Sequence, residues 1–284
     1  MRIYKSDQRA GASILAIGQT GVGKTWSLKT VTDNLLLINT EPKNPVDTIN
    51  KSNMKVIGME DFQEGLVFLT TLSRHIRQTG KCELTKEFFD DVSRELKLPD
   101  GFFGITEPFP IHTVALDSIT AYSRIIREIM EGEEEKSVAE DILAKLKRPM
   151  RQQEKYPMSW AGWHVLASMM LRIMSALNTL TDYGINVIIL ARASNDGFGL
   201  DITLDGKEFK RHIWSYCNGV GVVVPDEGTS KYPPRIIFCP EKGLSESVKP
   251  PGTLLANPAG GPLDWEVIFD LIKQEKERNL KNNG

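Results

Sequence analysis

Short, nearly unbroken apolar runs alternate along the chain with segments whose apolar residues recur every three or four positions. The runs are SILAIG (13–18), NLLLINTE (34–41), MKVIGM (54–59), HTVALDS (112–118) and INVIILARA (185–193). Each has strand length, and apolarity on consecutive positions predicts strands covered on both faces. Between them, DFQEGLVFLTTLSRHIRQ (61–78) sets Phe62, Leu66, Leu69, Leu72 and Ile76 at helical spacing. Trp163, Leu166, Met170, Ile173, Leu177 and Leu180 form a second helical stripe, read as core packing. KTWSLKTVTD (24–33) predicts a helix directly behind the first strand. Strands separated by helices predict an α/β fold, a mostly parallel sheet covered by helices on both faces.

Two stretches break the alternation. Residues 80–110 read as an insertion ending in a Pro/Gly-rich loop. Residues 123–160 read as a mostly helical insertion containing EGEEEK (131–136) and KLKRPMRQQEK (145–155). The C-terminal third changes character: GVGVVV (219–224) and RIIFC (235–239) predict an antiparallel hairpin with a long connection. LDWEVIFDLIKQEKER (263–278) predicts an amphipathic closing helix, with a flexible polar tail over 279–284.

With 284 residues, 40% of them hydrophobic, the chain is expected to form one domain with insertions. No apolar run approaches the ~18 residues of a membrane span, and MRIYKSDQRAGAS lacks the apolar core of a signal peptide. Three distant cysteines without a CxxC pair, and four scattered histidines, argue against a disulfide framework or a zinc site. They fit a reducing cytoplasm. A net charge of −2 gives no overall attraction for nucleic acid, so any such binding needs a local basic patch.

The strongest local signal is Gly18-Gln19-Thr20-Gly21-Val22-Gly23-Lys24-Thr25, followed by Trp26. It fits GxxxxGK[ST] and has the required strand before it and helix after it. Glycines let successive N–H groups turn toward a phosphate, and the helix behind adds its positive dipole end. In this pattern Lys24 neutralises the β- and γ-phosphates of ATP, and the Thr25 hydroxyl holds Mg²⁺. Asp117, ending HTVALD, is the candidate second metal ligand; the alternative is a cap for the helix beginning SITAYSRII.

A guanine-specifying NKxD and a DxxG after the acid are both missing, and SNDGFGLDITLDG does not look like an arginine-rich kinase lid. Glu41 ends the strand after the phosphate-loop helix, where a carboxylate could activate water for in-line attack. LLLINTEP, VALDSITA and NVIILAR together resemble the RecA-like ATPases. Within them the early first strand, Glu41 in its TE context, the helix SWAGWHVLASMMLRIMSALNTL before NVIILAR and the strand PPRIIFCPEKG resemble the short phage-type RecA-core group linked to single-strand annealing and recombination (the Sak-four type, within the broader AAA-like family). The resemblance covers roughly residues 10 to 245. It implies a RecA-like ATPase fold and Mg²⁺-dependent ATP hydrolysis, with Glu41 as the water-activating group, Arg192 in the place of the γ-phosphate sensor and Ser118 in support. It also implies an oligomer, ring or filament, acting on single-stranded DNA in recombination or repair. A single-strand binding protein is a candidate partner, and the location would be the bacterial host cytoplasm for a phage-encoded chain.

The same resemblance directs the segment after the sensor strand, SNDGFGLDITLDGKEFKR (194–211), toward DNA. Phe198 could stack on a base, and Lys207, Lys210 and Arg211 could meet phosphates. Three aspartates there support the alternative of a mobile acidic surface loop. Lys145, Lys147, Arg148 and Arg151 form the densest basic run, read either as a solvated face or as a nucleic-acid patch. Lys242, and after it Arg235, are candidates for a cation completing a neighbour's site. Rival functions on this core are a helicase or packaging motor, a nucleotide-dependent assembly module with incidental hydrolysis, and a metabolic kinase.

Overall fold

The computed structural model of the chain describes residues 11–42, 45–49, 51–59, 62–99, 102–103, 107–131, 160–195, 200–205, 207–226, 234–239, 248–257 and 260–282. All five apolar runs are strands of one sheet. The strands are Ser13–Gly18 (β1), Leu35–Asn39 (β2), Met54–Gly58 (β3), Glu83–Leu84 (β4), Phe109–Pro110 (β5) and Thr113–Asp117 (β6). Asn186–Asn195 (β7), Leu200–Ile202 (β8), Gly219–Val224 (β9), Arg235–Ile237 (β10) and Gly261–Pro262 (β11) follow. The helices are Lys24–Ser27 (α1), Phe62–Thr79 (α2), Lys86–Leu96 (α3), residues 119–131 (α4), Trp160–Thr181 (α5), Lys207–His212 (α6) and Trp265–Asn282 (α7).

The sheet order is β11-β10-β9-β1-β7-β6-β2-β3. From β9 through β3 every pairing is parallel, while β10 and β11 close one edge antiparallel. Because side chains alternate across a strand, the central strands feed two cores. Leu15, Ile17, Leu36, Ile38, Val114, Leu116, Val187 and Ile189 face the layer of α2 to α6. Ile14, Ala16, Leu35, Leu37, Ala115, Ile188 and Leu190 face α7 and the segment behind the phosphate loop. The α5 stripe behaves as expected: Leu166, Met170, Ile173, Leu177 and Leu180 are buried. The hairpin of β9 and β10 forms as the sequence predicts.

Four expectations are corrected. The helix expected over 24–33 stops at Ser27 and passes into one 3-10 turn, Leu28–Thr30. β-branched Thr30, Val31 and Thr32 weaken helix continuation. Side chains also take two of the carbonyls that residues 31–33 would need in a longer helix: Thr30 Oγ1 donates to Ser27 and the Lys51 ammonium to Lys29. Such a short helix contributes a correspondingly small dipole. The described residues of the segment 194–211 are mostly regular structure where a loop was expected. β8 folds back antiparallel on β7, pairing Ala193 with Ile202, and α6 follows. The cause is a period-two pattern, Leu200, Ile202 and Leu204, with Ile202 and Leu204 packed into the core.

The segment 80–110 was expected as an insertion tailing into a loop, and much of it is built into the core. β4 and β5 pair, and α3 lays Phe88, Phe89 and Val92 against Phe68 of α2. Thr85 caps α3 by accepting the Phe88 N–H at 3.2 Å. The fourth correction concerns the flexible tail expected from 279 onward: α7 continues through Asn282. Within it Leu280 and Lys281 favour a helix, and Lys281 sets a cation in the last turn, where the helix dipole is negative.

Candidate active site

β1, β7, β6 and β2 stand side by side and end at one edge of the sheet. Register pairs Gly18 with Arg192, and Asp117 with both Leu190 and Asn39. The glycine loop, Arg192, Asp117 and Glu41 therefore lie in a row across the carboxyl ends of four parallel strands. This edge is where open α/β sheets take ligands. β7 lies between the phosphate-loop strand and the acid strand, so Arg192 is placed between the loop and the two carboxylates.

Within the loop, Gly21 (φ 83°) and Gly23 (φ 95°) occupy the left-handed region that a Cβ disfavours. Gly23 is the residue from which α1 departs, and its carbonyl accepts the Ser27 N–H at 2.9 Å. Lys24 turns back under the loop: its Nζ donates to the carbonyls of Gly18 (2.7 Å) and Gln19 (2.8 Å). Burial lowers its pKa from 10.5 to about 8, opposed by the charges of Asp117 and Glu41 and assisted by that of Arg192. Thr25 Oγ1 donates to Asp117 Oδ2 at 2.6 Å, so the two expected metal ligands are already together. Asp117 is 5% exposed, and burial raises its pKa above the ordinary value, against the hydrogen bond from Thr25.

Glu41 lies two residues beyond β2, and both of its carboxylate oxygens are engaged. Ser118 Oγ donates to Oε1 at 2.6 Å, and the Arg192 guanidinium donates to Oε2 in an ion pair. Asn39 brackets the glutamate backbone, its Oδ1 accepting the Glu41 N–H and its Nδ2 donating to the Glu41 carbonyl. The Asp117–Ser118 peptide is cis. Arg192 N–H donates to Thr120 Oγ1 (2.9 Å), whose hydroxyl donates to the Thr203 carbonyl beyond β8 (3.0 Å).

Residues behind the loop also hold its shape. Trp265 is fully buried; its Nε1 donates to Ser27 Oγ and its N–H to Thr30 Oγ1, both at 2.8 Å. Trp26 remains partly exposed, with the Lys29 ammonium 5.7 Å from its ring centroid.

Of the residues singled out in the sequence, Lys24, Thr25, Asp117, Glu41, Ser118 and Arg192 converge. Lys207, Lys210 and Arg211 lie on α6, whose Phe209 is buried. Asp205, one of the acids counted against DNA contact, is paired with Arg127 at 2.6 Å. Arg235 pairs with Asp226 at 3.7 Å across the β9–β10 hairpin. Phe198, Lys145, Lys147, Arg148, Arg151 and Lys242 lie outside the described residues. Sequence reasoning missed Asn39, Thr40 and Thr120. Their only signal was a polar residue flanking each acid in INTEP and LDSIT.

Among the described residues no three carboxylate, imidazole or thiolate groups converge as a metal cage. The Thr25–Asp117 pair instead offers two hard oxygens beside a phosphate cradle, the donor set suited to Mg²⁺ that keeps waters and shares substrate phosphates.

Fold and site together define a P-loop ATPase: a glycine loop leaving β1, a buried lysine beneath it, and a hydroxyl–carboxylate pair at its mouth. Consistent with this, a family model described as an AAA domain matches residues 10–211, and the chain belongs to that family. No curated protein matches the sequence. None of the described helices is long and apolar enough to cross a membrane.

Proposed function

We propose that the protein hydrolyses ATP with Glu41 as the group that activates the attacking water, and uses that cycle on single-stranded DNA in recombination or repair, as an oligomer. The observation that supports the chemistry best is the Glu41 carboxylate held by Ser118 and Arg192 beside the Thr25–Asp117 pair. The amides of residues 19–25 and Lys24 hold the phosphates. Thr25 and Asp117 hold Mg²⁺, which when bound screens the phosphate charge and draws electron density from the phosphoryl group. Glu41, oriented on two sides, takes up the proton of the attacking water. Arg192 lies within reach of both Glu41 and the loop, so a terminal phosphate competes with Glu41 for its guanidinium. That competition links nucleotide state to β7 and to the hairpin it forms with β8. The DNA assignment is supported by the three cations of α6 following that hairpin, together with the resemblance to recombination ATPases.

The test is ATP turnover with and without single-stranded DNA at two salt concentrations, with Glu41→Gln as control. Stimulation by DNA that weakens with salt, and at least about a hundred-fold loss of turnover in Glu41→Gln with ATP still bound, are expected. Wild-type turnover in Glu41→Gln would overturn the chemistry. Turnover unchanged by DNA, with ATP-dependent assembly, would overturn the DNA reading in favour of a nucleotide-dependent assembly module.

A further inference from the structure

One side chain ties the two acid-bearing strand ends together. Thr40 follows the last ladder pair of β2 and β6, Asn39 with Asp117, and stands opposite Ser118. The Thr40 N–H donates to the Asp117 carbonyl at 2.8 Å. Its hydroxyl does two further things: it donates to the Ser118 carbonyl at 2.7 Å and accepts the Ser118 N–H at 2.9 Å. The Thr40 hydroxyl thus serves both backbone groups of Ser118 at the point where the ladder ends. Thr40 is 6% and Ser118 1% exposed, so water offers little substitute for these bonds.

The bonds close on themselves. Thr40 fixes the backbone of Ser118, the Ser118 hydroxyl donates to Glu41 Oε1 at 2.6 Å, and Glu41 is the next residue after Thr40. Ser118 Oγ also accepts the Ala121 N–H at 3.2 Å, which aims its own proton at the carboxylate. A shift of Ser118 would therefore move the Glu41 carboxylate relative to Asp117. We propose that Thr40 is a positioning residue for hydrolysis: through Ser118 it sets the direction of the Glu41 carboxylate. This rests on the assignment of Glu41 as the water-activating group.

Thr40→Val keeps the volume and removes the hydroxyl, while Thr40→Ser keeps the hydroxyl. Turnover, KM for ATP and nucleotide-binding stoichiometry would be measured for both, for Ser118→Ala, for Glu41→Gln, and for Thr40→Val combined with Glu41→Gln under single-turnover conditions. Thr40→Val is expected to lower kcat per binding-competent site by roughly ten- to a hundred-fold, with KM within about two-fold. Thr40→Ser should return kcat to within about three-fold of wild type, and Ser118→Ala should reproduce the loss. In the Glu41→Gln background the Thr40→Val effect should vanish, because both act through one carboxylate. A persisting effect there, or a rise in KM at unchanged kcat, overturns the proposal. If Thr40→Val does not fold, Ser118→Ala decides, and full kcat in that variant overturns it. Full activity of Thr40→Val beside a crippled Glu41→Gln refutes the positioning role alone. Full activity of Glu41→Gln refutes the assignment of Glu41 itself.

Discussion

Raising the pH should release the phosphates by a route that the structure makes calculable. Lys24 is 9% exposed and burial lowers its pKa to about 8. In the proposed site the phosphates require its protonated form. With a pKa of about 8, the apparent dissociation constant scales as 1 + 10^(pH − 8), which rises from about 1.1-fold at pH 7 to about 11-fold at pH 9. The nucleotide does not mimic this effect, because its terminal phosphate has a second pKa of about 6 and is ionised throughout that range. Titration of a fluorescent ADP between pH 7 and 9.5 reads the affinity, and calorimetry in two buffers counts the proton taken up above pH 8. Affinity independent of pH over that range would refute the argument, as would an unaltered profile in Lys24→Arg, whose guanidinium cannot deprotonate there. The linkage to stability has the opposite sign. The unfolded lysine keeps its proton up to 10.5 and the folded one only to about 8. The burial cost is therefore full below about pH 8 and is relieved as pH rises toward 10.5; the shift corresponds to about 3 kcal/mol. Lys24→Met is thus expected to lose nucleotide binding while resisting urea at least as well as wild type at pH 7.

The raised pKa of Asp117 makes its carboxylate harder to keep ionised as the medium turns acid. The Mg²⁺ concentration for half-maximal turnover should rise as pH falls toward that pKa, and Asp117→Asn should need at least about ten-fold more metal at pH 7.5; an unchanged metal requirement in Asp117→Asn would contradict the assignment. Trp265→Phe deletes the donor to Ser27 Oγ in a fully buried site and should cost about 1–2 kcal/mol in urea unfolding. Trp265→Ala should cost about 3–5 kcal/mol, and equal unfolding midpoints for Trp265→Phe and wild type would show that α7 does not brace the phosphate loop.

Much of the architecture is written locally. Consecutive apolar residues identify five of the six parallel strands, and GQTGVGKT between strand and helix identifies the phosphate loop without knowledge of any neighbour. Local pattern also misled where tertiary bonds help decide length: the Lys51 ammonium takes the Lys29 carbonyl that a longer α1 would need. Leu200–Ile202 became a strand because its period-two pattern met Ala193–Asn195, the part of β7 that runs on beyond its pairing with β1 and β6. The strand order, with β7 between β1 and β6, belongs to the whole sheet and to no single segment. Glu41 and Asp117 were recognisable as acids beyond apolar runs. Their bonding to Ser118, Thr40 and Arg192 was not, because Glu41 lies 77 residues from Ser118 and 151 from Arg192 along the chain. Strand identity follows from burial of a residue and its immediate neighbours, which periodicity records. The direction of a carboxylate follows from which strand ends the packed sheet brings within hydrogen-bond reach, and only the tertiary structure fixes that.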